Sequence, residues 1–463
     1  MPSAHVSGPS SHSVSDRRQL YKATASGLLG FAIEQYDFIL YGTMAALVFG
    51  PLFFGSSGWG GEIASFGTFA AGYVARPLGG IIFGHYGDRL GRKRVLIISI
   101  TLMAISSSLI GLLPTYDQVG LWAPTFLVTL RIAQGIALGG ESAGSLLMAA
   151  EHSSAKRRGL WSSAPMTGGP LGSLLATGVT AAVLTLPDDQ FNAWGWRIPF
   201  AMSFVLLAVG IYMRFSVKET PAFEQTKNLG QTGKRSAPLV KALRNPRVLL
   251  PCIGIGIGPQ ALQAIIGTWL VAYGTHLGYD PQFLLLAVGI ASGFVILTLP
   301  VFGYVSDVLG RKQVIIAGAV GAVITAFPMM WMINSLSPTL LLIAAIWGRT
   351  VLQAVMYAPW PALLSESFDT ESRYTGASIG MQISTVVAGG FTPMIATSLT
   401  SGGHAVAGVG SLMLAAGLVT GVSAAFTRDR RHAELTDGLV EAVATAPQGT
   451  ARTQPAGLVD DAS

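Results

Sequence analysis

One short charged motif occurs twice in this chain, 219 positions apart (307 minus 88). The copies read Gly84-x-x-x-Asp88-Arg89-x-Gly91-Arg92-Lys93-Arg94 and Gly303-x-x-x-Asp307-x-x-Gly310-Arg311-Lys312. Each copy lies between two long apolar segments, so each is a charged connection between consecutive hydrophobic elements. A connection repeated at this period predicts a duplicated architecture, in which two similar bundles follow each other along the chain.

The composition is that of a membrane protein. Of 463 residues, 51% are hydrophobic and 11% are charged, whereas an ordinary soluble domain has about 25% charged residues. A helix needs roughly 20 mainly apolar residues to cross a bilayer, and twelve such runs alternate with polar breaks. We therefore predict an all-α membrane protein with 12 transmembrane helices in two parallel-repeat six-helix bundles.

The same breaks predict the domain boundaries. We expect a cytoplasmic N-terminal segment at 1–25, a first bundle at 26–216, a basic linker at 217–247, a second bundle at 248–426 and a tail at 427–463. The tail is poor in large apolar residues, which predicts disorder. No apolar core precedes Ser26, so we expect no cleavable signal peptide.

The positive charges are distributed very unevenly. In a twelve-span arrangement, 25 of the 29 Lys and Arg residues fall on the side that carries the repeated motif. The opposite loops carry four aspartates, Asp117, Asp188, Asp189 and Asp280, and only Arg197. Basic loops stay in the cytoplasm, which predicts a multi-pass protein of the plasma membrane with both termini cytoplasmic. The asymmetry accounts for the net charge of +6 without a nucleic-acid partner.

Further pairs of residues repeat in the same register, among them Arg131 with Arg349 and Glu151 with Glu366. The register predicts that Asp88 meets the helix start at Gly376 and that Asp307 meets the helix start near Gly159. A carboxylate beside the positive end of a helix gains roughly 0.3–2 kcal/mol. Such contacts exist only while the motif side is closed, so we interpret them as latches. The predicted gating residues are Gly84, Asp88, Arg89, Gly91, Arg92, Lys93, Gly303, Asp307, Gly310 and Arg311.

The motif resembles the signature loop of the major facilitator superfamily, and other segments resemble its metabolite:proton symporter branch. They are Glu34-Gln35-Tyr36-Asp37-Phe38-x-x-Tyr41-Gly42, Ala75-Arg76-Pro77-Leu78-Gly79-Gly80, Arg131-x-x-Gln134-Gly135, Trp194-Gly195-Trp196-Arg197, Glu219-Thr220-Pro221 and Arg373-Tyr374-Thr375-Gly376. That branch includes carriers of shikimate, citrate, 2-oxoglutarate and betaine or proline. The resemblance implies a secondary transporter with its substrate near the midplane. Gln35 replaces the usual Trp, so we expect it along the substrate path.

Charged residues inside the predicted spans mark functional candidates, because each costs at least about 2.5–3.5 kcal/mol in a bilayer. Most lie in the first bundle. We expect proton coupling at Asp37, Glu34, Arg131 and Glu141, with Arg131 as the counter-charge of Asp37 or, as the alternative, as its permanent structural partner. We expect a substrate carboxylate at an arginine. Candidate substrate-binding residues are Arg76, Tyr41, Gln134, Gln260, Gln263, Arg349, Gln353, Tyr357 and Gln382.

These features predict a proton-coupled symporter for a small polar metabolite, such as an organic acid, a shikimate-like compound or a zwitterion. The nearest alternative is a proton-driven exporter, because Gly168-Gly169-Pro170-x-Gly172 resembles the exporter glycine-proline signature. Glycine and proline are common in membrane helices, so one cluster is weak evidence. Neither a membrane enzyme nor a receptor finds support in the motifs. With one cysteine and no metal-ligand spacing, we expect no cofactor and no metal, and we expect a monomer.

Overall fold

The computed structural model of the chain describes residues 14–90, 92–139, 153, 155–216, 244–368 and 373–427. Of residues 14–23, 26, 84–90, 92–96, 155, 207, 213–216 and 374 it describes the backbone alone. The described residues form twelve long helical spans, α1 to α12, and contain no strand. The prediction of an all-α, twelve-helix architecture is confirmed.

Residues 14–216 form the first group of spans. They are α1 (Val14–Leu47), α2 (Trp59–Leu90), α3 (Arg92–Ile110), α4 (Trp122–Gly139), α5 (Arg158–Ser163, Pro165–Thr167 and Gly168–Val183 in succession) and α6 (Ile198–Ser216). Short helices occupy the connections at the end opposite the motif, at Phe49–Phe54, Tyr116–Val119 and Asp188–Ala193. We call the end that carries the two motif copies the motif side and the opposite end the far side.

Residues 246–426 form the second group. Its spans are α7 (Pro246–Ala264, Ile265–Trp269 and Leu270–His276), α8 (Pro281–Leu309), α9 (Arg311–Asn334), α10 (Pro338–Ile346, Trp347–Gln353, Ala354–Tyr357 and Trp360–Ser367), α11 (Arg373–Ser384, Thr385–Gly390 and Thr392–Ser401) and α12 (Ala405–Phe426). The Asp280 side chain caps the start of α8 by accepting from the backbone N–H groups of Gln282 and Phe283.

Seven of the described helices are long and apolar enough to cross a membrane by length and composition alone, and six of these lie in the second group. Within its described spans the first group carries the buried charges Glu34, Asp37, Arg76 and Arg131, whereas the buried charge in the middle of a described second-group span is Arg349. This difference agrees with the prediction that intramembrane charge is concentrated in the first half of the chain.

The helices extend beyond two of the predicted boundaries. Span α1 begins at Val14 rather than at Ser26. The residues before Ser26 are therefore helical, although they lack the apolar character of the span. Span α7 begins at Pro246, two residues before 248. Most of the predicted linker and all of the predicted tail beyond Thr427 lie outside the described residues.

Each group packs mainly within itself, and a few helix pairs join the two groups. In the first group α1 packs on α5 and α2 on α4, while in the second α12 packs on α7 and α9. Between the groups, α5 packs on α8, α2 on α11 and α1 on the far-side half of α7. These pairs define a seam between the groups.

Three spans of the second group contain a π-helical turn. The turns are Ile265–Trp269 in α7, Trp347–Gln353 in α10 and Thr385–Gly390 in α11. A π turn inserts one extra residue, which rotates the side chains on either side of it, and such turns are frequent at functional sites. All three lie in the middle of their spans, so they change which side chains of these helices face the seam.

Candidate functional site

The second motif copy makes a direct contact across the seam. Asp307 Oδ1 accepts a hydrogen bond from the backbone N–H of Gly159 (2.8 Å), and its Oδ2 accepts one from the N–H of Leu160 (3.0 Å). These are unsatisfied donors of the first turn of α5, where a carboxylate is favoured. The predicted placement of Asp307 against the helix start near Gly159 is confirmed.

Small residues permit this close approach. A Cβ added to Gly159 would lie 2.5 Å from the carbonyl oxygen of Gly303, and one added to Gly303 would lie 2.3 Å from Ser163 Oγ. Neither helix could carry a larger side chain there at this separation. The two glycines therefore set the distance between α5 and α8 on the motif side.

A buried network of charges surrounds the contact. Glu366 of α10 accepts from Arg158 Nη1 (3.0 Å) and Arg311 Nη2 (3.3 Å) through the same oxygen, while Arg311 Nη1 lies 2.5 Å from Asp307 Oδ1. The side chains of all four residues are at most 3% exposed. The network thus ties α5 of the first group to α8, α9 and α10 of the second, whereas the sequence predicted only one of its carboxylates to make a contact.

Several predicted residues lie partly or wholly outside the described part of the structure. The backbone of Gly84, Asp88 and Arg89 belongs to α2, and that of Arg92 and Lys93 to α3. Their side chains, the whole of Gly91 and the predicted contact of Asp88 with Gly376 lie outside the described part of the structure. The same holds for Glu141 and Glu151.

A second contact joins the two groups on the far side, and the sequence analysis did not predict it. His276, at the end of α7, lies with its Nε2 2.5 Å from Glu62 Oε1 in the first turn of α2. The imidazole also stacks on Trp59, with ring centroids 3.8 Å apart and an interplanar angle of 17°. The described structure is therefore joined across the seam on both sides of the membrane region.

The two carboxylates of α1 have different partners. Glu34 forms a buried ion pair with Arg76 of α2, and the Arg76 guanidinium also lies over the rings of Phe38 (5.3 Å) and Tyr73 (5.6 Å). Arg76 was predicted as a candidate for substrate binding, whereas here it holds α1 against α2.

Asp37 is only 1% exposed, and the predicted direct pair with Arg131 is not formed. Asp37 Oδ1 accepts a hydrogen bond from Ser203 Oγ of α6 at 2.6 Å. Ser107 of α3 also lies beside the carboxylate, and its hydroxyl accepts from Gln134 Nε2 at 2.5 Å. Gln134 Oε1 in turn accepts from Arg131 Nη1 at 2.5 Å. Arg131 is therefore connected to Asp37 through two polar side chains.

Aromatic rings hold the Arg131 guanidinium. It lies 4.1 Å from the ring centroids of both Phe38 and Tyr41 and 5.1 Å from that of Phe69. Such contacts are favourable for a desolvated cation. Gly72 makes room for the side chain, because a Cβ there would lie 2.6 Å from Arg131 Nε. The pair was mispredicted because the rotation of α4 directs Arg131 toward these rings.

A small central cavity lies at the seam. It is bounded by α1, α5, α7, α8 and α10. Its polar lining comprises Gln35, Gln263, Arg349, Gln353 and Tyr357, and its apolar lining includes Phe31, Gly169, Pro170, Val295 and Leu299. Gln263, Arg349, Gln353 and Tyr357, all predicted substrate-binding candidates, thus meet at one place, and Gln35 joins them as expected.

Other candidates take part in helix packing. Tyr41 shares a 2.5 Å hydrogen bond with Thr68, and Gln260 Nε2 donates to Thr385 Oγ1 at 2.6 Å. Gln382 is half-buried in α11, and it does not line the central cavity. Among the described residues, no group of three or more His, Cys, Asp or Glu side chains could hold a metal ion.

The sequence and the fold match those of known transporters. Residues 27–393 match the model of the Major Facilitator Superfamily. The chain is 36% identical over 420 residues to the shikimate transporter of Escherichia coli (strain K12), covering 89% of this chain and 95% of that protein. It is 35% identical over 435 residues to the proline/betaine transporter of the same strain, covering 90% of this chain and 85% of that protein.

Solved structures share the fold. The proton:xylose symporter XylE bound to 6-bromo-6-deoxy-D-glucose superposes with a TM-score of 0.70 at 20% identity, covering 92% of this chain and 99% of that one. The partially occluded inward-open conformation of XylE from E. coli superposes with a TM-score of 0.69 at 20% identity. The match covers 89% of this chain and 99% of that one. The chain belongs to the Major Facilitator Superfamily, and it is a secondary transporter and a multi-pass membrane protein rather than an enzyme.

Proposed function

We propose that this transporter carries a small polar metabolite into the cell together with protons, by alternating access. In this proposal the motif side is cytoplasmic, the first and second groups are the two moving bodies, and the protein acts as a monomer in the plasma membrane. The central cavity is the substrate site, and Asp37 carries the proton. Neither nucleic acid nor a cofactor has a role.

The observation that carries the proposal is the environment of Asp37. Its carboxylate is buried and directly contacts hydroxyl groups rather than a cation in the described part of the chain. Removing a carboxyl group from water favours its neutral form, and hydrogen-bond donors favour its charged form. A side chain balanced between these influences can gain and lose a proton as its access to water alternates.

The connection to Arg131 supplies the counter-charge. Because Gln134 and Ser107 link the two side chains, protonation of Asp37 removes the negative charge toward which this polar path is oriented. The path then rearranges, and α4 is free to shift relative to α1. Glu34 has a different role, because its ion pair with Arg76 keeps α1 and α2 together throughout the cycle.

Contacts on both sides of the seam support alternating access. The motif side is held by Asp307 and its network, and the far side by Glu62 and His276. A two-state transporter requires that each set can open while the other stays closed, since conformational equilibria respond to contacts made in only one state. Neither set involves Asp37 or Arg131, so gating and proton binding use different residues.

Uptake into proteoliposomes tests this function. Purified protein is reconstituted, and accumulation of radiolabelled shikimate, proline and glycine betaine is followed under an imposed pH gradient. With the lumen alkaline, at least one compound should accumulate above its external concentration, and a protonophore should abolish this. Accumulation only when the lumen is acidic would identify a proton-driven exporter instead.

The glycine-proline cluster of α5 has a packing explanation. A Cβ on Gly168 would lie 2.0 Å from the carbonyl oxygen of Leu28, and one on Gly172 would lie 2.1 Å from that of Ala32. These glycines are needed where α5 crosses α1, which holds for either direction of transport. The cluster therefore does not favour an exporter.

A further inference from the structure

Among the described residues, Arg349 is a buried cation without an acidic partner. Its residue is 2% exposed, in the middle of α10. Its only described side-chain hydrogen bond is a long one, from Nη2 to Ser173 Oγ at 3.4 Å, while Nε and Nη1 have no partner. Burying an unpaired charge is costly. The feature therefore needs an explanation that helix packing does not give.

Four other buried arginines of the described structure differ from Arg349. Arg76, Arg158 and Arg311 each pair with a carboxylate. Arg131 is enclosed by three aromatic rings and bonded to Gln134. Arg349 has neither kind of partner in the part of the chain that the structure describes, and it is the arginine that lines the central cavity.

Gln353 adds a second unsatisfied group to the same cavity. It is 3% exposed; its Nε2 donates to Gln263 Oε1 at 3.4 Å, but its own Oε1 has no partner. Arg349 and Gln353 belong to one π-helical turn, and both line the cavity. Two residues that line the cavity thus carry, between them, free N–H groups of a cation and a free carbonyl acceptor.

These two groups define a ligand. A guanidinium with free N–H groups matches a carboxylate, which it can bind in a bidentate fork. The free amide oxygen requires a donor, such as a hydroxyl or an N–H group. The rest of the lining consists of neutral amides, Tyr357 and apolar side chains such as Phe31. None of the described residues that line the cavity has a carboxylate to receive a cationic group.

We propose that Arg349 and Gln353 form the substrate subsite and that it selects a monocarboxylate bearing at least one hydrogen-bond-donating hydroxyl group. The Arg349 guanidinium binds the carboxylate, Gln353 Oε1 accepts from a hydroxyl, and Phe31 packs against the carbon skeleton. A methylated zwitterion without a donor leaves Gln353 unsatisfied and places its cation among neutral groups. This inference rests on the proposed function, because it takes the central cavity as the transport site.

Ligand binding to purified full-length protein tests the proposal without any need for proton coupling. Melting temperatures are measured with shikimate, quinate and gluconate, with the methyl ester of shikimate, and with glycine betaine. A ligand that binds only the folded state raises the melting temperature by mass action. At least one hydroxy acid should raise it, and the ester and betaine should have little effect. No shift with any hydroxy acid, or an equal shift with the ester, would overturn the proposal.

Substitutions then assign the effect to the subsite. Arg349→Gln should weaken hydroxy-acid binding about 10- to 100-fold, as expected for loss of charge-assisted hydrogen bonds, and Arg349→Lys should weaken it less. The matched control is Arg247→Gln, which removes the same charge from an exposed position. Gln353→Leu should reduce the preference for the hydroxy acid over betaine. Comparison of ligand-free melting temperatures identifies any variant that fails to fold. If Arg349→Gln fails to fold, Arg349→Lys, which retains the charge, is used in its place to measure the change in binding.

The outcome separates this inference from the proposed function. If wild-type protein accumulates a compound with protons while Arg349→Gln binds hydroxy acids with unchanged affinity, the subsite is wrong and proton coupling stands. If hydroxy acids bind through Arg349 but no pH gradient drives accumulation, the subsite stands and proton coupling is wrong.

Discussion

Asp307 in the second group and Gly159 in the first are joined by a 2.8 Å hydrogen bond from the backbone N–H of Gly159 to Asp307 Oδ1. Because the two residues belong to helices on opposite sides of the seam, this bond can exist only while the motif side is closed. The acceptor of this hydrogen bond is the charged Asp307 carboxylate, and the donor lies at the positive end of a helix. The bond is therefore stronger than one between two neutral groups.

Asp307→Asn should therefore favour opening of the motif side. Loss of a charge-assisted hydrogen bond costs about 1.5–3 kcal/mol, which corresponds to roughly a tenfold or larger shift toward the open state. A reporter cysteine at Ser163, which lies at the contact, should react faster with a membrane-impermeant maleimide applied to the motif side. The native Cys252 is fully buried and can be replaced by serine. Asp189→Asn, at an exposed far-side position, is the control and should leave the rate unchanged.

Gly159→Ala should have a similar effect for a steric reason. The added Cβ would lie 2.5 Å from both Gly303 O and Arg311 Nη1, so α5 and α8 must move apart. The matched control is Gly178→Ala in the same span, where nothing lies within 4 Å of the added atom. Equal labelling rates at the reporter cysteine in the two alanine variants would show that close approach at Gly159 does not control the motif side.

Glu62→Gln should favour opening of the far side, because it removes the carboxylate that contacts His276. A cysteine at Thr268, which is 1% exposed and close to Gly42 of α1, should then become more reactive to reagent applied from the far side. Asp188→Asn serves as the control for loss of an exposed far-side carboxylate. Increased labelling from the motif side instead would contradict the assignment of this contact to far-side closure.

The carboxylates of α1 should respond differently to neutralisation. Glu34→Gln removes the acid that pairs with buried Arg76, and breaking a buried ion pair from one side costs about 3–5 kcal/mol. Its melting temperature should fall well below that of Asp37→Asn, which separates no ion pair. Replacing both partners, with Glu34→Leu and Arg76→Met, should recover much of the loss. A wild-type melting temperature for Glu34→Gln would contradict the structural role of this pair.

Much of the architecture could be predicted from the sequence because it depends on spacing along the chain. The apolar runs predicted the spans, the duplicated motif predicted two similar bundles, and the register of the repeats predicted that Asp307 meets Gly159. Which side chains of α1, α2 and α4 face each other depends on the rotation of each helix about its axis. Spacing does not determine that rotation, so the partner of Asp37 was predicted incorrectly and the pair of Glu34 with Arg76 was not foreseen.

The π-helical turns are a second feature that could not be predicted from the sequence. Arg349 and Gln353 share one such turn, and an extra residue per turn has no recognisable sequence pattern. Both residues could be chosen as candidates because charged and amide side chains are unusual within an apolar span. Their convergence with Gln263 of α7 and Gln35 of α1 on one cavity depends on tertiary packing. The contact of Glu62 with His276 was missed for the same reason, since it joins residues 214 positions apart.

Proton coupling through Asp37 is the central claim, and a comparison of two transport modes in proteoliposomes tests it most directly. The probe is whichever of radiolabelled shikimate, proline or glycine betaine the wild type accumulates. For Asp37→Asn we expect counterflow exchange of the probe in the absence of a pH gradient to persist, while an alkaline lumen no longer drives accumulation. Full gradient-driven accumulation by Asp37→Asn would contradict the account.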